Sequence, residues 1–356
     1  MSCANAPGAD ASLDADDAGD VSRDASAALP EPACKAGEWC SLKLSTMPVS
    51  LNGIWGAGPD DVWIVGSPDT AIHWDGAVFT TLSIEQYQPL LGIWGSGRND
   101  IWAFGTTQAT WHYAADSDAG WSRSLDDPDT NAAAAVPISS IWGASATDVW
   151  AVGGAAAYKL ASVFHCDGWR DGAPNWQPSP TSSDDPPKDE YIHFNAISGS
   201  VQSGIWVVGN GGKTRYTTGW SDGHATWTPV NSHTQRTLYA VWASPNGDVW
   251  AGGEGGVLHR FSRGDGGEYQ ETTVETAATK TIRAIWGLAD DDVWAVGGEG
   301  TVLHWDGAAW TLLADPIFEA QDDLFAIWGS SKDDLWIAGR GALLHKGSVV
   351  LPGVVR

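Results

Sequence analysis

The sequence predicts an all-β fold, a seven-bladed β-propeller of four-stranded antiparallel blades. Three observations predict it: two bulky positions recur eight residues apart, a glycine follows each pair, and each repeat holds four short apolar runs. In one pair a serine replaces the first Trp. The pairs are Trp55/Trp63, Trp94/Trp102, Trp142/Trp150, Ser198/Trp206, Trp242/Trp250, Trp286/Trp294 and Trp328/Trp336. Units of this size cannot bury an apolar face alone, so the repeats must pack together as one array.

The sixth repeat shows the strands of a single blade. Its apolar runs are Ala284–Gly287, Val293–Gly297, Thr301–Trp305 and Trp310–Leu313, and turn-forming residues separate them. The turns are too short to hold helices, and the runs have the usual length of strands. A unit of about 40 residues with four strands is typical of a propeller blade.

The two ends of the chain predict how the ring closes. Trp39 stands before Trp55 much as the outer-strand aromatic residue of the first repeat, Phe79, stands before Trp94. The last repeat has only a weak fourth run, Ser348–Leu351, which lacks Trp. We therefore expect an N-terminal strand, at about residues 38–44, to complete the last blade.

Charge divides the chain into a leader and a folded part. Net charge is -25, and residues 1–33 carry acids that only Arg23 opposes. These acids are Asp10, Asp14, Asp16, Asp17, Asp20, Asp24 and Glu31. The leader has few large apolar residues, so we expect it to be disordered and residues 34–356 to form a monomeric propeller. The negative field repels phosphate backbones, which argues against a nucleic-acid partner.

The cysteines indicate an oxidising compartment and a membrane anchor. Cys34 and Cys40 are close enough to form a disulfide, with two free thiols as the alternative, and Cys166 is expected to be a buried thiol. Cys3 precedes the acidic leader as the acylated cysteine does in mature bacterial lipoproteins, although no apolar signal region stands upstream, so an incidental Cys3 is the alternative. No run approaches the roughly 20 apolar residues that span a bilayer. The predicted location is extracytoplasmic, as a secreted or membrane-anchored bacterial lipoprotein.

Two segments resemble a degenerate Asp-box, the turn between the third and fourth strands of BNR (sialidase-type) propellers. Residues 72–79 read IHWDGAVF and residues 303–310 read LHWDGAAW. The family motif is Ser/Thr-x-Asp-x-Gly-x-x-Trp; here His73 or His304 takes the hydroxyl position and Asp and Gly are adjacent. Similar Trp-rich arrays occur in bacterial secreted and surface propellers, and tectonin-type lectins share a related repeat. The resemblance implies the propeller architecture. No catalytic arginine cluster or Tyr/Glu pair of sialidases can be placed on this sequence.

Two polar residue types also recur with the repeat. An acid stands two residues before the second Trp: Asp61, Asp100, Asp148, Asp248, Asp292 and Asp334. Histidines recur nine, ten or fifteen residues after the second Trp: His73, His112, His165, His259, His304 and His345. A catalytic group occurs once in a chain, whereas a group that recurs in every repeat is structural, so we predict no metal site. Because each acid ends a tight turn, we expect it to accept hydrogen bonds from nearby backbone N–H groups. The Trp pairs are expected to pack between blades. Some indoles near the outer strands are candidates for stacking on a ligand: Trp74, Trp111, Trp169, Trp220 and Trp305.

The repeat is interrupted in blades two to four, and this interruption predicts a binding rim. The insertions are Gly154–Val163, Asp126–Ile138 and Pro178–His193, beside the repeat that has lost its first Trp. One insertion lies between the second and third strands of a blade, and the other two lie between successive blades. Connections of both kinds emerge on one face of a propeller, so the insertions should lie close together. The candidate binding residues are Tyr158, Lys159, Asp184, Asp185, Lys188, Asp189, Glu190, Tyr191, His193, Lys213 and Arg215. The alternative is a set of surface loops without a task.

The sequence favours a non-enzymatic binding or scaffold propeller at the cell envelope or secreted, with a protein or glycan as partner and no cofactor. Membrane contact is expected only through an anchor at Cys3. The alternative is a polysaccharide hydrolase or lyase in which Asp184, Asp189 or Glu190 supplies acid and base. That chemistry needs two carboxylates roughly 5 to 9.5 Å apart.

Overall fold

A computed structural model describes residues 37–44, 48–84, 88–105, 110–114, 120–124, 137–154, 162–170, 173–181 and 192–347. They form seven four-stranded antiparallel sheets, which are the blades of one propeller, and the predicted fold is confirmed. Within these ranges the helices are α1 (Pro316–Glu319) and three single 3-10 turns: Asn210–Gly212, Glu254–Gly256 and Gly298–Gly300. No helix in the described ranges is long and apolar enough to cross a bilayer.

The first three blades follow a single short strand. The chain begins with β1 (Trp39–Ser41). Blade one consists of β2 (Ser50–Gly58), β3 (Asp61–Ser67), β4 (Thr70–Trp74) and β5 (Phe79–Ser83). Blade two consists of β6 (Leu90–Gly97), β7 (Asp100–Gly105), β8 (Thr110–Tyr113) and β9 (Trp121–Ser124). Blade three consists of β10 (Ile138–Ser145), β11 (Asp148–Gly153), β12 (Val163–Arg170) and β13 (Ala173–Pro178).

Blade four carries an extra hairpin and the remaining blades are regular. Blade four consists of β14 (Phe194–Ser200), β15 (Gly204–Gly209), β16 (Thr214–Thr217), the inserted pair β17 (Trp220–Ser221) and β18 (His224–Ala225), and β19 (Thr228–Pro229). Blade five consists of β20 (Leu238–Ala243), β21 (Val249–Gly253), β22 (Leu258–Arg263) and β23 (Tyr269–Val274). Blade six consists of β24 (Ile282–Ala289), β25 (Asp292–Gly297), β26 (Val302–Trp305) and β27 (Trp310–Leu312). Blade seven consists of β28 (Leu324–Ser331), β29 (Asp334–Gly339), β30 (Ala342–Lys346) and β1.

The ring closes by exchange of strands between the two ends of the chain, as predicted. β1 pairs antiparallel with β30, placing Trp39 opposite Lys346 and Ser41 opposite Leu344. The amide of Leu42 continues the ladder by donating to the carbonyl of Leu343 at 2.8 Å. The N-terminal strand β1 is therefore the outer strand of the last blade and joins the two ends of the chain.

The cysteines are partly described. Cys40 lies on β1, whereas Cys3 and Cys34 lie outside the described residues, so the disulfide and the lipid anchor stay predictions. Cys166 is a buried free thiol that donates to the carbonyl of Gly168 at 3.3 Å, and burial raises its pKa. The prediction for Cys166 is confirmed.

The two Trp positions of each repeat lie opposite each other on the first and second strands and have different tasks. All seven second-position indoles are buried. Trp63, for example, packs with Leu90 and Trp111 of blade two. The first-position indoles reach across to a glycine of the following blade. A Cβ placed on Gly95 would lie 2.7 Å from Cη2 of Trp55. The same contact joins Trp94 to Gly143, Trp142 to Gly199, Trp242 to Gly287, Trp286 to Gly329 and Trp328 to Gly56.

The one blade without a first Trp is matched by a change in its neighbour. Ser198 replaces the indole, and the residue that would receive it in blade five is Ala243 rather than glycine. The amide of Ala243 donates to Oγ of Ser198 at 3.1 Å. At this junction the side chains of Ser198 and Ala243 together take the place of the indole that packs on a glycine at the other six junctions.

The segments that resemble the Asp-box form the expected turns between third and fourth strands. Oδ1 of Asp75 accepts from the amides of Ala77 and Val78 at 2.9 and 2.8 Å. Gly76 has φ of 90°, a conformation that favours glycine, and Asp306–Gly307 repeats the geometry in blade six. These backbone hydrogen bonds lower the pKa of Asp75.

Candidate functional site

The propeller has two unlike faces. The tight turns between first and second strands lie on one face, which we call the turn face. The connections between second and third strands and between successive blades lie on the other, which we call the loop face. The seven first strands contact one another around the centre of the ring, so their first residues surround the mouth of the central channel on the loop face.

A β-bulge interrupts every first strand at this mouth. In each blade the pairing register shifts by one residue and leaves a single residue unpaired. We call these seven residues the bulge ring. They are Asn52, Leu91, Ser139, Asn195, Tyr239, Arg283 and Phe325. None is buried, and their side chains are of six types at equivalent positions, whereas the scaffold around them repeats.

The repeat glycine makes the bulge possible. Gly66 lies opposite Leu51, at the base of the first bulge. A Cβ on Gly66 would collide with the carbonyl oxygen of Ser50. The same collision with a carbonyl would occur at Gly153, Gly209, Gly253, Gly297 and Gly339. The glycine that follows each Trp pair is therefore required for close backbone approach beneath the bulge ring.

Two members of the bulge ring connect neighbouring blades. Nδ2 of Asn52 donates to the carbonyl of Leu90 in blade two at 2.6 Å. Nδ2 of Asn195 donates to the carbonyl of Leu238 in blade five at 2.8 Å. These carboxamides fix the geometry of the mouth as well as lining it.

The other large members of the bulge ring offer contact surface. Leu91 is 38% exposed. Cζ of Arg283 lies 5.4 Å from the centroid of the Phe325 ring, and its Nη2 lies 3.3 Å from Oδ2 of Asp323. The hydroxyl of Tyr239 lies 3.5 Å from Oε1 of Glu254. Half-exposed aromatic, aliphatic and guanidinium groups held in place by neighbours are typical of protein-binding surfaces.

The insertions of blades three and four meet on the loop face where they are described. Gly154 and His193 form an isolated antiparallel bridge, and Oγ of Ser162 donates to the carbonyl of Ile192 at 2.7 Å. Nε2 of His193 lies 3.1 Å from Oγ of Ser139, a member of the bulge ring. Burial lowers the pKa of His193. The bases of these insertions therefore adjoin the channel mouth.

Three of the predicted rim residues are described. Besides His193, Nε of Arg215 donates to the carbonyl of Thr181 at 3.2 Å, and burial lowers the pKa of Arg215. Lys213 immediately precedes the third strand of blade four, β16. The other predicted residues lie outside the described residues: Tyr158, Lys159, Asp184, Asp185, Lys188, Asp189, Glu190 and Tyr191. The greater part of the insertion Asp126–Ile138 does so too.

The recurring Asp and His are parts of one structural cluster, as their repetition indicated. In blade seven, Oδ1 of Asp334 accepts from the indole N–H of Trp336 at 3.0 Å and lies 2.7 Å from Nε2 of His345. The imidazole also packs on the indole, with centroids 4.0 Å apart. Aspartate–histidine contacts of this kind recur at Asp61–His73, Asp100–His112, Asp148–His165 and Asp292–His304. The acids accept side-chain donors, so the expectation of backbone N–H donors was wrong.

Blade five departs from this cluster. Arg260, and not His259, stands opposite Trp250 and binds Asp248. The grouping of His259 with the repeated histidines was therefore wrong by one residue. His259 faces the other side of the blade, where its Nδ1 lies 2.6 Å from Oε1 of Glu271.

The indoles considered for ligand stacking are mostly unavailable. Trp74, Trp111 and Trp305 are buried, so that expectation was wrong for them. Trp220, on the inserted hairpin of blade four, stacks on His165 of blade three at 4.4 Å between centroids. Among the described residues, no three His, Cys, Asp or Glu side chains are placed to hold a metal ion.

We expect the free energy of unfolding to fall in acid, because the Asp–Trp–His clusters contain ionised aspartates. The His165 hydrogen bond is the largest cause that lowers the pKa of Asp148. For Asp334, burial raises the pKa but hydrogen bonds from His345 and Ser330 outweigh it, so the net pKa is lowered. A lowered folded-state pKa gives stability that is complete above the unfolded value of 3.8 and lost as pH falls through the folded value.

Urea unfolding at pH 7 and at pH 3 measures this effect. Asp148→Asn and Asp334→Asn should each flatten the loss of unfolding free energy between the two pH values. The exposed Asp265 provides the matched control, because Asp265→Asn removes the same charge outside any cluster. Parallel pH dependence in all four proteins would contradict the assignment.

The fold and its Asp-box turns define the class of protein, a BNR-like seven-bladed propeller. Residues 205–346 match the model of the family described as photosynthesis system II assembly factor YCF48. A solved structure titled "YCF48 bound to D1 peptide" has a TM-score of 0.65 with 19% identity, covering 90% of this chain and 99% of that chain. YCF48 from Cyanidioschyzon merolae gives 0.65 with 18% identity, covering 88% and 99%. No curated protein matches the sequence significantly.

Proposed function

We propose that the protein is a non-enzymatic recognition propeller that binds a segment of a protein partner across its loop face. The observation that carries this proposal is the bulge ring. The seven repeats share their scaffold residues, but the half-exposed position of the bulge ring carries six different side-chain types. The propeller therefore offers side chains of different chemistry on a rigid support. The support is rigid because each bulge lies on a strand packed between two others around the channel.

The chemistry of the face favours protein binding over hydrolysis. Three of its described acids already have partners: Asp323 lies beside Arg283, Glu299 lies 2.6 Å from Lys280, and Oε2 of Glu254 accepts from the amide of Thr237. Leu91, Tyr239 and Phe325 supply the apolar and aromatic area that protein contacts use. A propeller of the same fold is titled as bound to a D1 peptide, which supports a peptide-like occupant.

We further infer that the blade 2–4 rim takes part in binding a protein or a glycan. The reason is that His193, at the base of one insertion, contacts Ser139 of the bulge ring and pairs with Gly154 at the base of another. The acidic leader and Cys3 support an extracytoplasmic protein held to a membrane by acyl chains, with Cys34 and Cys40 joined in a disulfide. Metabolic labelling with palmitate tests the anchor. Incorporation that Cys3→Ser does not abolish would exclude it.

Replacing single members of the bulge ring should weaken binding of a protein segment. Peptides selected on the wild-type protein by display should lose affinity by about tenfold or more on Phe325→Ala or Tyr239→Ala, since aromatic anchors commonly dominate such interfaces. Calorimetry of the purified variants measures the change. The control is Val201→Ser on the turn face, where Val201 is 99% exposed.

The same measurement separates the alternatives. Unchanged affinity on both aromatic replacements would overturn the proposed face. Loss of affinity on exchange of residues 178–193 for a short turn, with no effect of Phe325→Ala, would place the site on the rim instead. Binding to a glycan array that the face variants abolish would make the occupant a carbohydrate.

A further inference from the structure

The sequence contains three Asn-Gly pairs, at residues 52–53, 210–211 and 246–247. In such a pair the backbone nitrogen of the glycine attacks Cγ of the asparagine, because glycine has no side chain to hinder the approach. The attack expels ammonia and closes a succinimide ring, which water then opens to aspartate or isoaspartate. The rate of this reaction in the folded chain depends on how the two reacting groups of each pair are held.

The pair at residues 246–247, on the turn face, is held at both reacting groups. Nδ2 of Asn246 donates to Oδ2 of Asp290 in blade six at 2.7 Å, which retains the leaving amide. The amide of Gly247 donates to the carbonyl of Ser244 at 3.1 Å, so the attacking nitrogen is occupied. Both hydrogen bonds must break before this pair reacts.

The pair at residues 52–53 is held within β2. Nδ2 of Asn52 donates to the carbonyl of Leu90 at 2.6 Å. Gly53 is buried, and a Cβ placed on it would lie 2.8 Å from Cα of Gly92. The close packing of the two first strands therefore prevents the backbone movement that ring closure requires.

The pair at residues 210–211 lies open on the loop face, in the 3-10 turn between β15 and β16. Asn210 and Gly211 are both exposed, and a Cβ on Gly211 would meet no atom within 4 Å. As the second residue of the turn, Gly211 has no acceptor for its amide inside the turn. None of the hydrogen bonds between described residues uses that amide either. The attacking nitrogen is therefore available.

A neighbouring carboxamide prepares Asn210 for this attack. Nδ2 of Asn195, a member of the bulge ring, donates to Oδ1 of Asn210 at 3.1 Å. Negative charge develops on this oxygen as the nitrogen of Gly211 adds to Cγ, so the donor stabilises it as an oxyanion hole does. Asn195 is already in position, because its Nδ2 also donates to the carbonyl of Leu238 at 2.8 Å.

We propose that Asn210–Gly211 is a site of spontaneous deamidation and that Asn195 promotes the reaction. Water or hydroxide removes the amide proton of Gly211, whose nitrogen forms a bond to Cγ of Asn210. The bond from Cγ to Nδ2 of Asn210 then breaks and ammonia leaves with the proton that it needs. One water molecule opens the succinimide to a carboxylate. The reaction requires no partner, so it does not depend on the proposed function.

The product changes the charge and the backbone of the loop face. Residue 210 becomes a carboxylate beside Asn195. In isoaspartate the main chain runs through the former side chain, which lengthens a turn closed by two hydrogen bonds. These are the amide of Asn210 to the carbonyl of His193 at 3.0 Å and the amide of Lys213 to the carbonyl of Asn210 at 3.2 Å. The channel mouth is therefore altered slowly and irreversibly.

Incubation of the full chain at pH 8 and 37 °C, followed by peptide mapping with mass spectrometry, gives the rate at each pair. Conversion at Asn210 should be about twentyfold faster than at Asn246, because each of the two hydrogen bonds that hold the latter pair slows the reaction about fivefold. In the chain unfolded with urea the three pairs should convert at similar rates. Equal rates at Asn210 and Asn246 in the folded protein, or no conversion at Asn210, would overturn the proposed site.

Replacement of the donor tests the part played by Asn195. Asn195→Ala should slow conversion at Asn210 about fivefold, the effect of one neutral hydrogen bond. Asn52→Ala removes the equivalent carboxamide of blade one and is the matched control, in which the rate at Asn210 should not change. An unchanged or faster rate in Asn195→Ala would show that Asn195 does not promote the reaction. If that variant does not fold, Asn195→Asp keeps the size of the side chain, lacks the donor and gives the same decision.

Discussion

Replacing Trp39 and Leu42 together with alanine is expected to lower the free energy of unfolding by roughly 5 kcal/mol, since buried Leu and Trp truncations commonly cost 2–5 kcal/mol each and Trp39 is only partly buried. Whole domains are stable by only about 5–15 kcal/mol, so much of this variant should be unfolded at 37 °C. Lys43→Ala is the matched control, because Lys43 is exposed on the same segment.

The expectation follows from how the closing strand is held. The Trp39 ring makes edge contacts with Trp294 and Phe318, with centroids 5.8 and 5.3 Å apart. Leu42 is buried in the cluster that joins blades seven and one. Urea unfolding followed by Trp fluorescence measures the loss. Equal midpoints for the double variant and Lys43→Ala would show that the ring does not depend on strand exchange.

The closing strand also shows what the sequence could predict. The spacing from Trp39 to Trp55 placed an outer strand at about residues 38–44, and β1 with the following Leu42 bond lies inside those bounds. The prediction succeeded because an outer strand without a blade of its own can only complete a blade that lacks one, and the last repeat has only a weak fourth run.

Side-chain direction was harder to predict than strand position. His259 was grouped with the repeated histidines, but one residue of offset in a strand moves a side chain to the opposite face, where His259 meets Glu271. The true equivalent, Arg260, is a different residue type and so gave no match by identity. Distance from the second Trp does not decide between the two, because Arg260 matches the spacing of His73 from Trp63, whereas His259 matches the spacing of His345 from Trp336.

The bulge ring was missed altogether, although the sequence contains a signal for it. A variable residue follows the buried residue at the start of each first strand, such as Asn52 after Leu51 and Phe325 after Leu324. Variation at one column of an otherwise regular repeat predicts exposure. That the column is a bulge depends on the close approach of the repeat glycine to a backbone carbonyl, which no residue pattern shows.

The pair Ser198 and Ala243 leads to the second large effect. Ser198→Trp should destabilise the protein by about 3 kcal/mol, at the upper end of the cost of overpacking, because the new indole meets the methyl group of Ala243 where other indoles meet glycine. Ala243→Gly alone should cost about 1 kcal/mol, through backbone entropy and a lost methyl contact.

The double variant Ser198→Trp with Ala243→Gly restores the pattern of the other six junctions and should recover most of the loss. A double-mutant cycle by urea unfolding measures the coupling, which should exceed about 2 kcal/mol if the two residues share one space. Trp242→Ser with Gly287→Ala, the reverse exchange at the next junction, is the matched comparison. Additive effects at the blade 4–5 junction would mean that the two departures from the repeat arose independently. Coupling would mean that Ser198 and Ala243 together pack this junction as an indole and a glycine pack the other six. Blade four, which adjoins the rim, then differs from the other blades without loss of ring closure.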